Sequence, residues 1–347
     1  MLMKPASTHF SQAFILYLGF SHRFYEVRGL EDGKLEKDNF DLINLSWRLM
    51  AKLRLGLEWF LNPDHVPLLV GLKQGWFADL NIDLELVEPA EHIDAIVQIQ
   101  DGTLDIAITE PVHLVEDRSN GHPVIGWARF LHTNGGVMYF AGQGIERPKD
   151  MLGKRLQYPG APSALGKAIA KTMIEADGGQ FTDDAITSVD NGFFHTDALI
   201  DNKADCATLA FYNFEVMEAR LRGYDAQFFA LKNWGIPDFC QLIFITTPEL
   251  LQQRRQALQA FLKVFRRGID FIHQQPEAAQ AIYHQYTGAY ADDAIGQAIY
   301  QATVPCFTYD LTMTTDYYDQ LQTWMHHTGQ IANCLPVTTY WTNSLAL

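Results

Sequence analysis

Between Leu53 and Ile108 the apolar residues keep switching between the period of a strand and the period of a helix, and this restricts the fold more than any other feature. Leu53, Leu55 and Leu57 alternate, as in a strand with one buried face. Pro63 and Asp64 form a polar corner that stops this strand and opens a helix over roughly 67–74, which Gly75 ends. Ile82, Leu84 and Leu86 alternate as a second strand. Ile93, Ile96 and Val97 share one helical face, closed by Gly102. Leu104–Ile108 is a third strand, ending in Thr109–Glu110–Pro111. The order β-α-β-α-β predicts a parallel sheet with right-handed crossovers. Trp59, Asn62 and His65 then stand at the carboxyl end of a strand, where open α/β sheets bind ligands.

The next segment repeats the theme. A helix is expected from Pro111 to Asn120, then strands at Val124–Ala128 and Val137–Ala141. Gly142–Gln143–Gly144 breaks the pattern, so a crossing to a second lobe is placed near Ala141. Strands are expected at Arg155–Tyr158, Ile186–Val189, Cys206–Leu209 and Gln227–Leu231. A helix opening at Ser163 and a turn at Asp190–Asn191 fall between them. The loop Asn233–Asp238 leads back through the strand Gln241–Thr246. Leu258, Phe261, Leu262, Phe265, Ile269 and Ile272 then recur at helical spacing, and helices follow from Tyr290 to Ala302 and from Asp316 to His327. The division is an extension over 1–50, a first lobe over 51–141, a second over 142–243, and a return over 244–347 whose helical tail packs on the first lobe. This describes an α/β, bilobal, type II periplasmic-binding-protein-like architecture with a hinge and an interlobe cleft.

Composition narrows the partners. Across 347 residues, 48% are hydrophobic and 19% charged, enough for a large core. A net charge of −15 excludes nucleic acid, whose phosphates need a basic face, and argues against an anionic membrane surface. Cys206, Cys240, Cys306 and Cys334 are far apart and lack metal-ligand spacing, so they are expected to be reduced thiols and no metal site is expected. No apolar run reaches about 18 residues, so no direct membrane insertion is expected. Phe14–Phe20 is short, is followed at once by His22 and Arg23, and lacks a cleavage site, unlike a secretory signal. The charged stretch Glu31–Asp41 has no period, so residues before Met50 read as an extension of little structure or one that is not native. These features predict a cytoplasmic protein, or a periplasmic one if the N-terminus is misassigned.

Several segments in order carry a family resemblance over roughly 52–330: Trp59–His65, Gly75–Phe77, Glu88–Ala90, Gly102–Ala107 and Gly121–Val124. They resemble the group that contains the bacterial formylaminopyrimidine-binding proteins and the fungal thiamine-pyrimidine synthases. In the second lobe, Tyr158–Ser163, Tyr212–Glu215 and Gly235–Phe239 look like the pyrimidine-binding transport and salvage proteins. The binding side of the group implies a small-molecule pyrimidine ligand, no cofactor, an ABC transporter permease as a partner, and an acidic residue at Glu215 holding the aminopyrimidine. The synthase side implies chemistry on pyridoxal phosphate with iron, a Schiff-base lysine and a sacrificial histidine. That histidine falls on His113, but the lysine position falls on Thr109, which has no amine. The cysteine-rich cluster of the fungal enzymes is reduced to Cys240.

The expected ligand-binding set is therefore Trp59, Asn62, His65, Glu110, Ser163, Asn191, Tyr212, Glu215 and Asp238, with His113 catalytic only in a synthase. A carboxylate accepts from an exocyclic amine, amides at Asn62 and Asn191 complement ring edges, and Trp59 or Tyr212 stacks on a flat ring. The turn at Ser163 offers backbone N–H groups to a formyl oxygen or a phosphate. Asn62 as a helix cap, and Asn191 and Asp238 as turn residues, are the competing readings. The expected function is binding of a thiamine-pyrimidine precursor of formylaminopyrimidine or hydroxymethylpyrimidine type. The alternatives are a pyrimidine synthase and a binding protein for another small nitrogenous or sulfonate ligand. A homodimer is a further expectation.

Overall fold

The computed structural model describes residues 16–20, 23–27, 50–89, 95–288 and 293–346. The chain divides into two units, Met1–Ala51 and Lys52–Leu347. In the first, β1 (Leu16–Phe20) and β2 (Arg23–Val27) form an antiparallel hairpin with Leu16 opposite Val27 and Phe20 opposite Arg23. The expectation of little structure is corrected for these two strands. Phe14, the charged run 31–41, Ile93 and Tyr290 lie outside the described residues.

The second unit carries β3 (Ala51–Gly56), β4 (Ile82–Val87), β5 (Ile106–Thr109), β6 (Ile125–His132), β7 (Gly135–Phe140), β8 (Arg155–Gln157), β9 (Thr187–Val189), β10 (Cys206–Phe211), β11 (Ala226–Ala230) and β12 (Gln241–Thr246). They form two five-stranded sheets, one per lobe, in the orders β4-β3-β5-β12-β6 and β11-β7-β10-β8-β9. β3 and β5 are parallel, with Leu55 opposite Ile106, as the β-α-β-α-β reading requires. β12 runs antiparallel to β5 and β6, and β7 runs antiparallel to β10 and β11, so both sheets are mixed.

The boundary near Ala141 needs correction. β7 belongs to the second sheet, so the chain leaves the first lobe at Thr133–Asn134. The signal was hard to read because β6 and β7 are both apolar and join with no Pro between them. Gly142 and Gly144 take positive φ values of 79° and 73° in a turn beyond β7, where glycine is the residue that tolerates them. On the return, all of β12 lies in the first sheet, so the second lobe ends before Gln241. The two crossings are pinned together. Thr133 N–H donates to Cys240 O at 3.0 Å, and His132 Nε2 lies 2.8 Å from an Asp238 carboxylate oxygen.

The first-lobe core is aromatic. Phe244 on β12 stacks on Phe130 at 4.4 Å and meets Phe261 and Phe265 edge-on at 5.1 and 5.3 Å. Those last two come from the helix Arg255–Gln274, whose expected apolar face (Leu258, Phe261, Leu262, Phe265, Ile269, Ile272) is buried throughout. The later tail does more than cover this lobe. Trp324, on the helix Thr315–His327, donates to Thr172 Oγ1 of the second lobe at 3.0 Å, and Gly126 of β6 exchanges backbone bonds with Tyr340 and Thr342. Thr303, ending the helix Ala294–Thr303, accepts from Asn213 Nδ2 at 2.9 Å. The expectation that the tail packs on the first lobe is thus corrected: it straps both lobes, because its aromatic residues find apolar partners on each.

The long helix crosses the helix Val66–Lys73 at Gly268, where an added Cβ would stand 2.8 Å from Pro67 Cα. Backbone cannot yield as a side-chain tip can. Gly268→Ala is therefore expected to destabilise the fold by about 1–3 kcal/mol despite the better helix propensity of alanine, measured by urea unfolding.

Candidate functional site

After β3 the chain leaves the sheet through Leu57 and Glu58 and turns at Asn62. Asn62 is extended (φ −140°), and its Oδ1 accepts from Asp64 N–H at 2.8 Å, capping the short helical turn Pro63–His65. Its Nδ2 donates to Phe60 O at 3.1 Å. His65 Nδ1 accepts from Asn62 N–H at 3.2 Å, so Nε2 carries the proton and donates to Glu58 at 3.0 Å. Glu88 accepts from Leu61 N–H at 2.8 Å and ties the corner to β4. Asn62 and His65 are both buried with their polar atoms bonded inside the turn. The structure makes them the frame of the corner, and the group they aim is Glu58, which the sequence reading did not select.

Four carboxyl groups gather here. Glu58 and Asp64 come from the corner, Glu110 from the end of β5, and Glu215 from the second lobe. Glu215 is 7% exposed and accepts from Phe211 N–H at 2.7 Å. Burial raises its pKa to about 7, with the Phe211 N–H opposing. Burial raises the Glu110 pKa to about 8, and Glu58 adds to the effect. Asp64 is raised to about 8 by burial, then by Glu58 and Glu215, with His65 opposing. Asp64 Oδ1 has no hydrogen-bond partner among the described residues. Near neutral pH Asp64 and Glu110 are thus biased towards the protonated form and Glu215 is close to its midpoint, and a protonated carboxyl can donate through O–H and accept through C=O.

Trp59 stands beside them, half-buried. Its ring centroid lies 4.3 Å from Phe60, 5.5 Å from Phe193 and 6.2 Å from Phe214, the last two from the second lobe. Tyr212 is placed elsewhere. It is exposed, its hydroxyl accepts from Arg220 at 3.0 Å, and the Arg220 guanidinium lies 5.3 Å from its ring centre. The aromatic partner on that segment is Phe214, two residues on, carried by a single wide (π) helical turn, Tyr212–Val216. An aromatic directly beside a strand-end turn, as at Phe193 and Phe214, is the signal that could have found both.

The remaining predicted residues serve their own segments. Asn191 donates to Phe194 O at 3.0 Å and accepts from Lys203 at 3.2 Å, holding the turn that carries Phe193. Asp238 pairs with His132 at the hinge; burial pushes its pKa up, but His132 and Lys232 outweigh that and hold it below the usual value. Ser163 precedes the helix Ala164–Ala176 without a side-chain cap bond. His113 is half-exposed, with Nε2 at 3.8 Å from Glu110.

The cofactor of the synthase side does not fit this donor set. Thr109 closes β5 without an amine to form the Schiff base. Among the described residues no group of three or more His, Cys, Asp or Glu is arranged to hold a metal ion, and no helix is long and apolar enough to cross a membrane.

Two α/β lobes joined by two crossings define a periplasmic-binding-protein-like fold. The periplasmic aliphatic sulphonate binding protein SsuA from Escherichia coli superposes with a TM-score of 0.67 at 12% identity, covering 84% of this chain and 92% of that one. The NMT1/THI5-like family model matches residues 62–279, and the chain belongs to that family. It is 27% identical to the formylaminopyrimidine-binding protein of Halalkalibacterium halodurans over 224 residues, 64% of this chain and 67% of that protein. It is 26% identical to the 4-amino-5-hydroxymethyl-2-methylpyrimidine phosphate synthase of Legionella pneumophila over 299 residues, 85% of this chain and 92% of that enzyme.

The Glu215 shift sets a direction for stability. A carboxyl whose folded pKa lies above its unfolded value binds its proton more tightly in the folded state. That stability is present below pH 4.5 and is lost as pH rises through about 7. Glu215→Gln keeps an acceptor for Phe211 N–H without titrating. Relative to this variant, the wild type is expected to lose on the order of 3 kcal/mol between about pH 5 and about pH 8, read by urea unfolding at the two pH values.

Proposed function

We propose that the cleft binds a thiamine-pyrimidine precursor of formylaminopyrimidine or hydroxymethylpyrimidine type, in thiamine biosynthesis or salvage. The observation that carries this reading is the buried Glu215, its pKa raised to about 7, one residue after Phe214, whose ring lies 6.2 Å from that of the half-buried Trp59. A neutral carboxyl donates its O–H to a ring nitrogen and accepts from the adjacent amino group, a two-point match to a 4-aminopyrimidine. Trp59 supplies the stacking face, and Glu58 and Glu110 complete the polar rim. Family membership and the formylaminopyrimidine-binding relative support the same ligand class.

The test is calorimetry with hydroxymethylpyrimidine and formylaminopyrimidine. Micromolar or tighter binding is expected, weakening about tenfold or more in Glu215→Ala, which is about 1.4 kcal/mol or more. Affinity is also expected to fall as pH rises through about 7, when Glu215 gives up the proton that it donates. Binding of neither compound sinks the reading.

The synthase reading draws support from the Legionella relative and from His113 beside Glu110, against the misfit at Thr109. Its test is the mass of the His113 peptide after incubation with pyridoxal phosphate, iron and oxygen. We expect that mass unchanged; a loss at His113 with pyrimidine product would reverse the assignment. For the biological setting we propose a cytoplasmic carrier, a reading supported by the free thiols of Cys206 and Cys240, with delivery to a transporter permease as the alternative. Cell fractionation of the full-length protein decides between them.

A further inference from the structure

The aromatic groups around Trp59 form a two-sided arrangement that the proposed hydrogen bonding does not use. Trp59 is rooted in the first lobe and backed by Phe60. Phe193 and Phe214 approach it from the second lobe on separate supports, tilted from its plane by 43° and 50°. All three rings are half-buried.

The support under Phe193 is built from several independent contacts. Asp190 accepts from Gly192 N–H at 2.9 Å, in a turn where Gly192 takes φ 57°. Gln157 Nε2 donates to Gly192 O at 2.7 Å, and Asn191 bonds Phe194 O and Lys203. Gln157 is in turn held by the buried His195. Phe214 sits one residue before Glu215, whose carboxyl is anchored on Phe211 N–H. Both second-lobe rings are thus fixed to their lobe as firmly as Trp59 is to its own.

We propose that Phe193 and Phe214 are specificity-determining residues that close on Trp59 to form a slot one aromatic ring thick. The inference rests on the pyrimidine-binding reading and adds to it a selection for planarity. Stacking contacts need about 3.5 Å on each face, so a ring held between two others needs about 7 Å between them. Trp59 and Phe193 are 5.5 Å apart. A small rotation about the hinge at Thr133–Asn134 and Asp238 admits a flat heterocycle, while a puckered ring requires a wider opening that gives up contact with one wall. The carboxyl groups choose the polar edge of the ligand, and the aromatic slot chooses its thickness.

The test separates shape from hydrogen bonding. Benzamidinium and cyclohexanecarboxamidinium carry the same amidinium group on a flat and a puckered ring. Calorimetry on the full-length wild type is expected to show the flat cation binding at least tenfold more tightly. In Phe193→Leu, which keeps an apolar side chain on the same turn, that preference should shrink to less than threefold, with circular dichroism unchanged. Phe214→Leu provides the second variant and should act in the same direction. Hydroxymethylpyrimidine binding is also expected to weaken about tenfold in Phe193→Leu, and the quenching of Trp59 emission by ligand, isolated as the difference from Trp59→Phe, should diminish. Equal affinity for the two amidines, binding of neither, or a planar preference untouched by both Leu variants overturns the slot. Failure of the wild type to bind hydroxymethylpyrimidine, with its planar preference between the two amidines intact, overturns the functional reading and leaves the slot standing.

Discussion

The relay from Asn62 N–H to His65 Nδ1, and from His65 Nε2–H to Glu58, is the contact on which the site depends. It places a fully buried imidazole under the corner with both ring nitrogens engaged, which is how a buried polar ring avoids the cost of unmet hydrogen bonds. Because the tautomer is dictated by a backbone N–H, the proton points at Glu58 and not away from it. Trp59 is the next residue, so the same frame also sets the aromatic face. Loosening this turn would move a stacking surface and a carboxylate together.

Around that frame, desolvation decides the chemistry. Four carboxyl groups within one cleft would repel each other if all were ionised. Burial is the leading cause of the upward shift at Asp64, Glu110 and Glu215, and mutual charge adds to it at Asp64 and Glu110. The outcome is a set of proton donors where the sequence shows only acids. The sulphonate-binding fold neighbour shares the architecture without settling the ligand.

The strand and helix pattern of the first lobe was legible because each element buries one regular face: Leu53 and Leu55, Ile82 and Leu84, and the stripe from Leu258 to Ile272. The crossing at Thr133–Asn134 was not, since the polar turn Thr133–Gly136 could equally join two strands of one sheet, and only the pairing of β7 with β10 and β11 puts it in the other lobe. The tail was legible as helices but not in its docking. Trp324 reaching Thr172, and Thr303 bonded to Asn213, are contacts between residues far apart in the chain, and periodicity carries no information about partners at that distance. The site shows the same division. Trp59 and Glu110 follow the ends of β3 and β5 and Glu215 lies in the helical turn after β10, whereas Tyr212 is drawn off by Arg220 and Asn191 and Asp238 are taken up by a turn and the hinge.

By itself the sequence determined two α/β lobes, a polar corner after a strand end, and membership in the NMT1/THI5-like family. It did so because periodicity, turn residues and short motifs are local, and local chemistry is written in order along the chain. Tertiary structure alone decided that Asn62 and His65 are the scaffold for Glu58, that burial raises the pKa of Asp64, Glu110 and Glu215, and that Phe193 and Phe214 face Trp59. Each of these depends on what a side chain meets across the cleft and on how much water that meeting excludes, and neither quantity exists until the two lobes are brought together.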